Sequence, residues 1–469
     1  MEHLTALDVT FLEAEDSDPH VSLAIGAVSI LAGPVPQYSE VVSAFAERVH
    51  AVPRCTQMLH TRPLDLGPPE WVEDPHFDIS HHLHHAALPD PGDDAELFQV
   101  IATVMQHRLD RERPLWECWI VEGLSDNRWA ILMKLHHCIA DGIATTRMLA
   151  KLSDDGGGDT FAKNIRAAKE PDRPALRPPP MSMNPLTWLG GVWRTAVAAA
   201  TGAEHAAVGV AELTGSLLNP PPESSLTGPV STMRRYSAAR VRLAEMEKVS
   251  RSFDVTLNDV ALAAITDSYR NLLLSRGEVP HHDSLRTLVP VSVRSMKHLH
   301  QIDNRVSAML PLLPVDEADP VEQLKLVHSR LTKAKASGQR EGGSIFMSTA
   351  NAVPFPLWAR TIRLLTGLPQ RAVVALATNV PGSQHRQKLM GREVLEILPI
   401  PPIALQLRTG IAMASYADAF VFGITADYDT APDIEELAAG IENGVAQLVA
   451  ASRTRRRKQA PIQPNSASA

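Results

Sequence analysis

Along residues 22–31 the apolar positions run almost without interruption, as in a strand buried on both faces. Pro91-Gly92-Asp93-Asp94 then opens a segment in which Leu97, Ile101, Val104 and Met105 recur at helical spacing. Residues 128–137 return to strand character, and another helix is expected just after Asp141-Gly142. Beyond residue 230 the same mixture repeats. A helix from Leu257 carries Leu262, Ile265, Tyr269 and Leu272, and Leu285, Thr287, Val289, Val291 and Val293 alternate as in a half-buried strand. Residues 372–377 read as a buried strand ending in the turn Thr378-Asn379-Val380-Pro381-Gly382. Phe420, Phe422, Ile424 and Ala426 alternate again, and a last helix uses Ile434, Leu437, Ile441, Val445 and Leu448. The pattern predicts an α/β fold of two mixed lobes of similar size.

Composition divides the chain further. Asp154 to Asp159, with three glycines, is read as a flexible break, and Pro-rich breaks follow at 177–181 and 220–222. Between them one apolar helix is expected, with Leu186, Leu189, Trp193, Val197 and Ala200 on one face. The expected organisation is an N-terminal lobe over 1–152, a crossover linker over 153–230, a C-terminal lobe over 231–452 and a disordered basic and polar tail over 453–469.

At 469 residues with 44% apolar and 21% charged positions, the chain has enough apolar material for two cores. A net charge of -8 gives no basis for nucleic-acid binding. Three widely spaced cysteines, Cys55, Cys118 and Cys138, suit a reducing cytoplasm better than a disulfide framework. The N-terminal residues are acidic where a secretion signal needs an apolar run, and no stretch reaches the roughly twenty apolar residues that span a bilayer. Cytoplasmic location is expected, with peripheral attachment to the inner membrane face or to lipid droplets left open.

The candidate chemistry lies at the end of the strand over 128–137. Strand parity puts Trp129, Ile131, Met133, Leu135 and His137 on one face, and Ala130, Leu132, Lys134 and His136 on the other. His137 thus ends an apolar row. An imidazole, with a pKa near 6.5 in water, is well suited to take a proton from an alcohol or thiol at neutral pH. Asp141 follows four residues later across a turn ending in Gly142, where its carboxylate holds either the histidine or an arginine. A lone His-His pair is usually structural; the full run His136-His137-Cys138-Ile139-Ala140-Asp141-Gly142 after an apolar strand is more specific.

That run resembles the HHxxxDG signature of the wax ester synthase/diacylglycerol acyltransferase family, which is grouped with chloramphenicol acetyltransferases and peptide-synthetase condensation domains. Further strings resemble the family in order: Leu7-Asp8 with Phe11-Leu12, Arg113-Pro114-Leu115-Trp116-Glu117, Leu257-Asn258-Asp259-Val260, residues 289–294, residues 304–307 and Thr378 to Gly382. The resemblance implies two chloramphenicol-acetyltransferase-like lobes with a tunnel between them. It implies transfer of a long-chain acyl group from acyl-CoA, a co-substrate with no further cofactor, to diacylglycerol or a long-chain alcohol. His137 matches the family's general base, with His136 supporting it, and Asp141 matches a structural brace. Transfer would be direct, and Cys138 is given little weight as a nucleophile.

Asn258, Thr378 and Asn379 are substrate-binding candidates, although Thr256 to Asp259 equally fits a helix cap. Arg54 is the candidate partner of Asp141, and Arg294 its competitor. The cluster His81-His82-Leu83-His84-His85 reads as a solvated, irregular segment, and no metal is assigned to it. Two apolar helices with tryptophan and arginine, over 186–194 and 355–365, either bind a lipid surface or pack on the lobes. The competing functions are acyl transfer to another hydroxyl (polyketide or glycolipid), a non-catalytic lipid-binding or lipid-droplet protein, and a metal-dependent hydrolase built on the histidine cluster.

Overall fold

The computed structural model describes residues 2–61, 67–139, 145, 153–154, 221–292, 306–336, 355–366 and 372–459. The N-terminal half runs β1 (Glu2–His3), α1 (Ala6–Ser17), β2 (Ala24–Ala32), α2 (Tyr38–Val49), β3 (Gln57–His60), β4 (Glu70–Glu73), β5 (Leu83–Ala87), α3 (Asp94–Gln106), β6 (Trp116–Leu124) and β7 (Arg128–His136). The C-terminal half opens with β8 (Arg234–Arg242), α4 (Leu243–Phe253), α5 (Leu257–Ser275), β9 (Leu285–Ser292), β10 (Val306–Met309), β11 (Leu312–Leu313) and α6 (Pro320–Ala336). It continues with α7 (Phe355–Thr366), β12 (Ala375–Val380), β13 (Lys388–Leu389), β14 (Arg392–Ile400), β15 (Thr409–Tyr416), β16 (Ala419–Asp427) and α8 (Ile434–Gln459).

Local signals set these elements. Thr5 with Asp8, Asp93 with Glu96 and Thr256 with Asp259 each form a reciprocal capping box, which fixes the starts of α1, α3 and α5. The predicted stripes are the buried faces: Leu97, Ile101, Val104 and Met105 in α3, and Leu262, Ile265, Tyr269 and Leu272 in α5. Residues 129–136 of β7 are buried on both faces, and on one of them Lys134 reaches the Val104 carbonyl of α3 at 2.9 Å.

The strands form two large sheets, ordered β13-β14-β2-β7-β6-β5 and β10-β9-β12-β15-β16-β8, with β11 on β9; β1, β4 and β3 make a small third sheet. Both large sheets are mixed, with parallel pairs β5/β6, β12/β9 and β12/β15. The sheets do not follow the two halves of the chain. β14 crosses over and pairs antiparallel with β2, from Val394 opposite Leu31 to Ile400 opposite Gly26. Where β14 passes β16 the backbones nearly touch. A Cβ on Gly423 would stand 1.7 Å from the Pro399 carbonyl oxygen, and the buried Tyr236 hydroxyl donates to that same oxygen at 2.9 Å.

Several expectations are corrected. Helix α8 runs on to Gln459 instead of ending near 452: arginine and lysine are good helix formers, and Arg455 lies over the Phe253 ring. Asp154, expected in a flexible break, is anchored: its carboxylate accepts from Met390 N–H, Gly391 N–H and Arg48, and so caps the β13–β14 turn. The His81 to His85 segment is ordered, with β5 pairing parallel to β6. His82 is buried and stacked on Trp116 at 4.6 Å, while its Nδ1 meets the Trp116 carbonyl at 2.8 Å. His84 packs on Trp119, and His85 lies 3.5 Å from Glu122. Three of the four histidines thus have separate neighbours, and among the described residues no group of three potential metal ligands comes together. The expected helices after Gly142 and over 186–200 lie outside the described residues.

Candidate active site

The histidine pair sits where β7 leaves the sheet. Ala24 is opposite His136 in the register, and the next residue back, Leu23, accepts the His137 N–H at 3.0 Å. A tight turn follows, in which Ile139 N–H donates to His136 O. Leaving the strand here gives the two imidazoles different surroundings. His136 is 1% exposed and His137 is half-buried.

The ring of His136 is held by one hydrogen bond and faces a carboxylate. Its Nδ1 accepts the Cys138 backbone N–H at 3.1 Å, so the ring proton is on Nε2, which lies 3.4 Å from Glu15 Oε2. Glu15 is itself buried, and its other oxygen accepts the Leu23 N–H at 3.0 Å. Arg111 donates to Glu15 at 2.7 Å and to Asp16 at 2.8 Å. Burial pushes the Glu15 carboxyl up, but His136, Arg111 and the Leu23 N–H outweigh it and hold the group down at about 2.

The usual Glu15 value is 4.5, and the folded value is depressed, so its stabilisation is fully present above pH 4.5 and is lost as pH falls through about 2. The depression corresponds to about 3 kcal/mol. Denaturant titrations between pH 5 and 2 should show a steeper acid loss for the wild type than for Glu15→Gln; parallel curves would remove Glu15 from the acid limb.

His137 is supported differently. The ring of Phe11 stacks on it with centroids 4.2 Å apart and planes inclined by 24°. Cys138 is buried, and burial raises its thiol well above the ordinary range, which makes it a poor nucleophile.

The second group of candidates meets at the start of α5. Thr256 and Asp259 form the cap, as the helix-cap reading expects, and Asp259 also contacts His328 Nδ1 at 2.8 Å. Asn258 stands between them in sequence, and its Oδ1 accepts from Asn379 Nδ2 at 3.4 Å, so two of the three binding candidates come together. Thr378 precedes Asn379 in β12, opposite Ala412. Arg54 is buried: it pairs with Glu2 at 2.7 Å, bonds Gln57 and lies over Trp71. Asp141, Gly142 and Arg294 lie outside the described residues, and so does any pairing they make.

Glu15 and Arg111 were missed at the sequence level. The acidic residues near the N-terminus serve there only as evidence against a secretion signal, whereas Glu13 and Glu15 are both buried. The usable signal was the spacing of Phe11 and Glu15, one helical turn apart on one face.

Residues 4–261 match the model of the wax ester synthase/diacylglycerol acyltransferase catalytic domain, and residues 302–448 match the WS/DGAT C-terminal domain. The chain is 54% identical over 456 residues to a Mycobacterium tuberculosis H37Rv protein named "Probable diacyglycerol O-acyltransferase", with 97% of each chain covered. Among solved structures it resembles the wax ester synthase/diacylglycerol acyltransferase of Marinobacter aquaeolei VT8, with TM-score 0.67, 24% identity, 96% of this chain and 100% of that one. The starter condensation domain of rhizomide synthetase, in complex with C8-CoA and Leu-SNAC, matches with TM-score 0.60 and 12% identity over 96% and 94% of the two chains. At these identities the two structures speak for the fold alone.

Proposed function

Since this chain belongs to the wax ester synthase/diacylglycerol acyltransferase family and is an O-acyltransferase, we propose that it moves a long-chain acyl group from acyl-CoA to diacylglycerol, with His137 as general base. The observation that carries the acceptor is the 54% identity, along almost the whole chain, to a relative named for that activity. The assignment of the base is supported by the contrast within the histidine pair, one ring buried against Glu15 and the other half-buried at the strand's end.

In this reading the acceptor hydroxyl gives its proton to the His137 imidazole as its oxygen attacks the thioester carbonyl. The tetrahedral adduct then expels the CoA sulfur, which recovers the proton from His137. Asn258 and Asn379 line the acceptor or acyl path, and Asp141 braces the turn after the histidines. The test is an acceptor panel with one labelled long-chain acyl-CoA. Triacylglycerol and free CoA should appear together when diacylglycerol is supplied; products with only a fatty alcohol or another hydroxyl would replace the acceptor proposed here.

Access to a neutral-lipid acceptor calls for contact with a lipid surface, and α7 is the described candidate. Its expected apolar face is turned inward: Trp358 Nε1 donates to Ala6 O at 3.2 Å, Ile362 is buried, and Arg363 grips Glu13 through two bonds of 2.6 and 2.9 Å. The outward side keeps Leu357 and Leu364, 54% and 74% exposed, with Arg360 between them. No described helix is long and apolar enough to cross a membrane. The double variant Leu357→Asp/Leu364→Asp is expected to lose co-flotation with anionic vesicles and keep its melting temperature. Unchanged flotation would take α7 out of surface binding.

A further inference from the structure

Helix α1 meets the histidine pair twice from one side. Phe11 and Glu15 are four residues apart and project together. The ring of Phe11 lies on His137, and the carboxylate of Glu15 faces His136. The second Glu15 oxygen holds the Leu23 N–H, and the Leu23 carbonyl in turn holds the His137 N–H, both at 3.0 Å. Glu15 therefore contacts the residues on either side of the His137 backbone anchor.

A buried charge bonded to an arginine and facing a histidine is a poor way to gain stability, because an apolar side chain of similar volume serves as well. What a carboxylate adds is direction: it accepts and never donates, so it dictates which nitrogen of a facing imidazole carries the proton. We infer that Glu15 is a positioning residue for acyl transfer, holding the Leu23 peptide in place and, together with the Cys138 N–H, keeping His136 as its Nε2–H tautomer, and through both fixing the direction of the His137 imidazole. Arg111, bound to Glu15 and Asp16, keeps the carboxylate from turning away. The inference rests on the reading of His137 as the base.

Glu15→Gln separates this role from filling space. Glutamine has one carbonyl oxygen, which cannot serve both the Leu23 N–H and the side shared by His136 and Arg111; its amide then opposes one donor with another. Histidine-selective 15N labelling of the wild-type protein, with His136→Gln to assign the resonance, is expected to show His136 protonated on Nε2. A proton on Nδ1 overturns the inference without any need for the variant to fold. For Glu15→Gln, assayed well below its melting point, kcat is expected to fall about 10- to 100-fold, as small misplacements of a catalytic group do. The KM for acyl-CoA should stay within about twofold, and the Nε2–H signal of His136 should weaken. A kcat at the wild-type level, or a loss matched by an equal loss of folded protein, overturns the inference while an inactive His137→Ala leaves the base assignment standing. A fully active His137→Ala overturns both.

Discussion

Replacing His137 by alanine is expected to lower kcat about 100- to 10,000-fold, the range that general-base catalysis supplies. Little stability should be lost with it. The ring is half-buried, and its stack on Phe11 is worth about 1 kcal/mol. The neighbouring change distinguishes the pair. His136→Ala leaves the buried Glu15 without its imidazole, so it should lower the melting temperature as well as the rate, whereas His137→Ala lowers the rate alone. Release of CoA under saturating diacylglycerol, measured alongside thermal melts of both variants, decides the matter. A rate loss confined to His136→Ala would exchange the roles given to the two residues.

The largest stability effect is expected at Gly423. Even alanine puts a Cβ 1.7 Å from the Pro399 oxygen, and the obstacle is backbone on a paired strand, not a side chain that can swing aside. Overpacking typically costs up to about 3 kcal/mol, and this site belongs at the upper end. The expected signs are a melting temperature several degrees lower and faster amide exchange in both β14 and β16. Tyr236→Phe, which removes only the hydroxyl bonded to Pro399, should cost about 1 kcal/mol. If Gly423→Ala melts with the wild type, the two sheets are not in the close contact described here.

Much of this architecture was legible in the chain because it is written locally. The stripes of α3, α5 and α8, the caps at Thr256 and Asp93, and the apolar row of β7 depend on neighbours within a few residues, and each appears where its period places it. The histidine run was legible for the same reason. What escaped depends on distant partners. Nothing near β14 announces that it will pair with β2, some 370 residues earlier by number, since a strand's own pattern fixes its faces and leaves its neighbour open. Glu15 escaped likewise, because its meaning lies in Arg111 and His136. The α7 stripe was legible as amphipathic for the same local reason, but the partner of Arg363 was not: this exposed arginine pairs with Glu13, 350 residues earlier.

The excursion of β14 also has a consequence for how the protein is made. As the chain leaves the ribosome, β2, β5, β6 and β7 emerge within the first 136 residues, yet the strand that completes the other side of β2 arrives only with residues 392–400. Throughout that interval β2 offers nine residues of unpaired backbone, nearly all of them buried in the finished fold. Such an edge invites pairing with another nascent chain. An N-terminal half expressed alone should therefore aggregate and recover its solubility when the C-terminal half is co-expressed, because completion of the first sheet waits for the last part of synthesis.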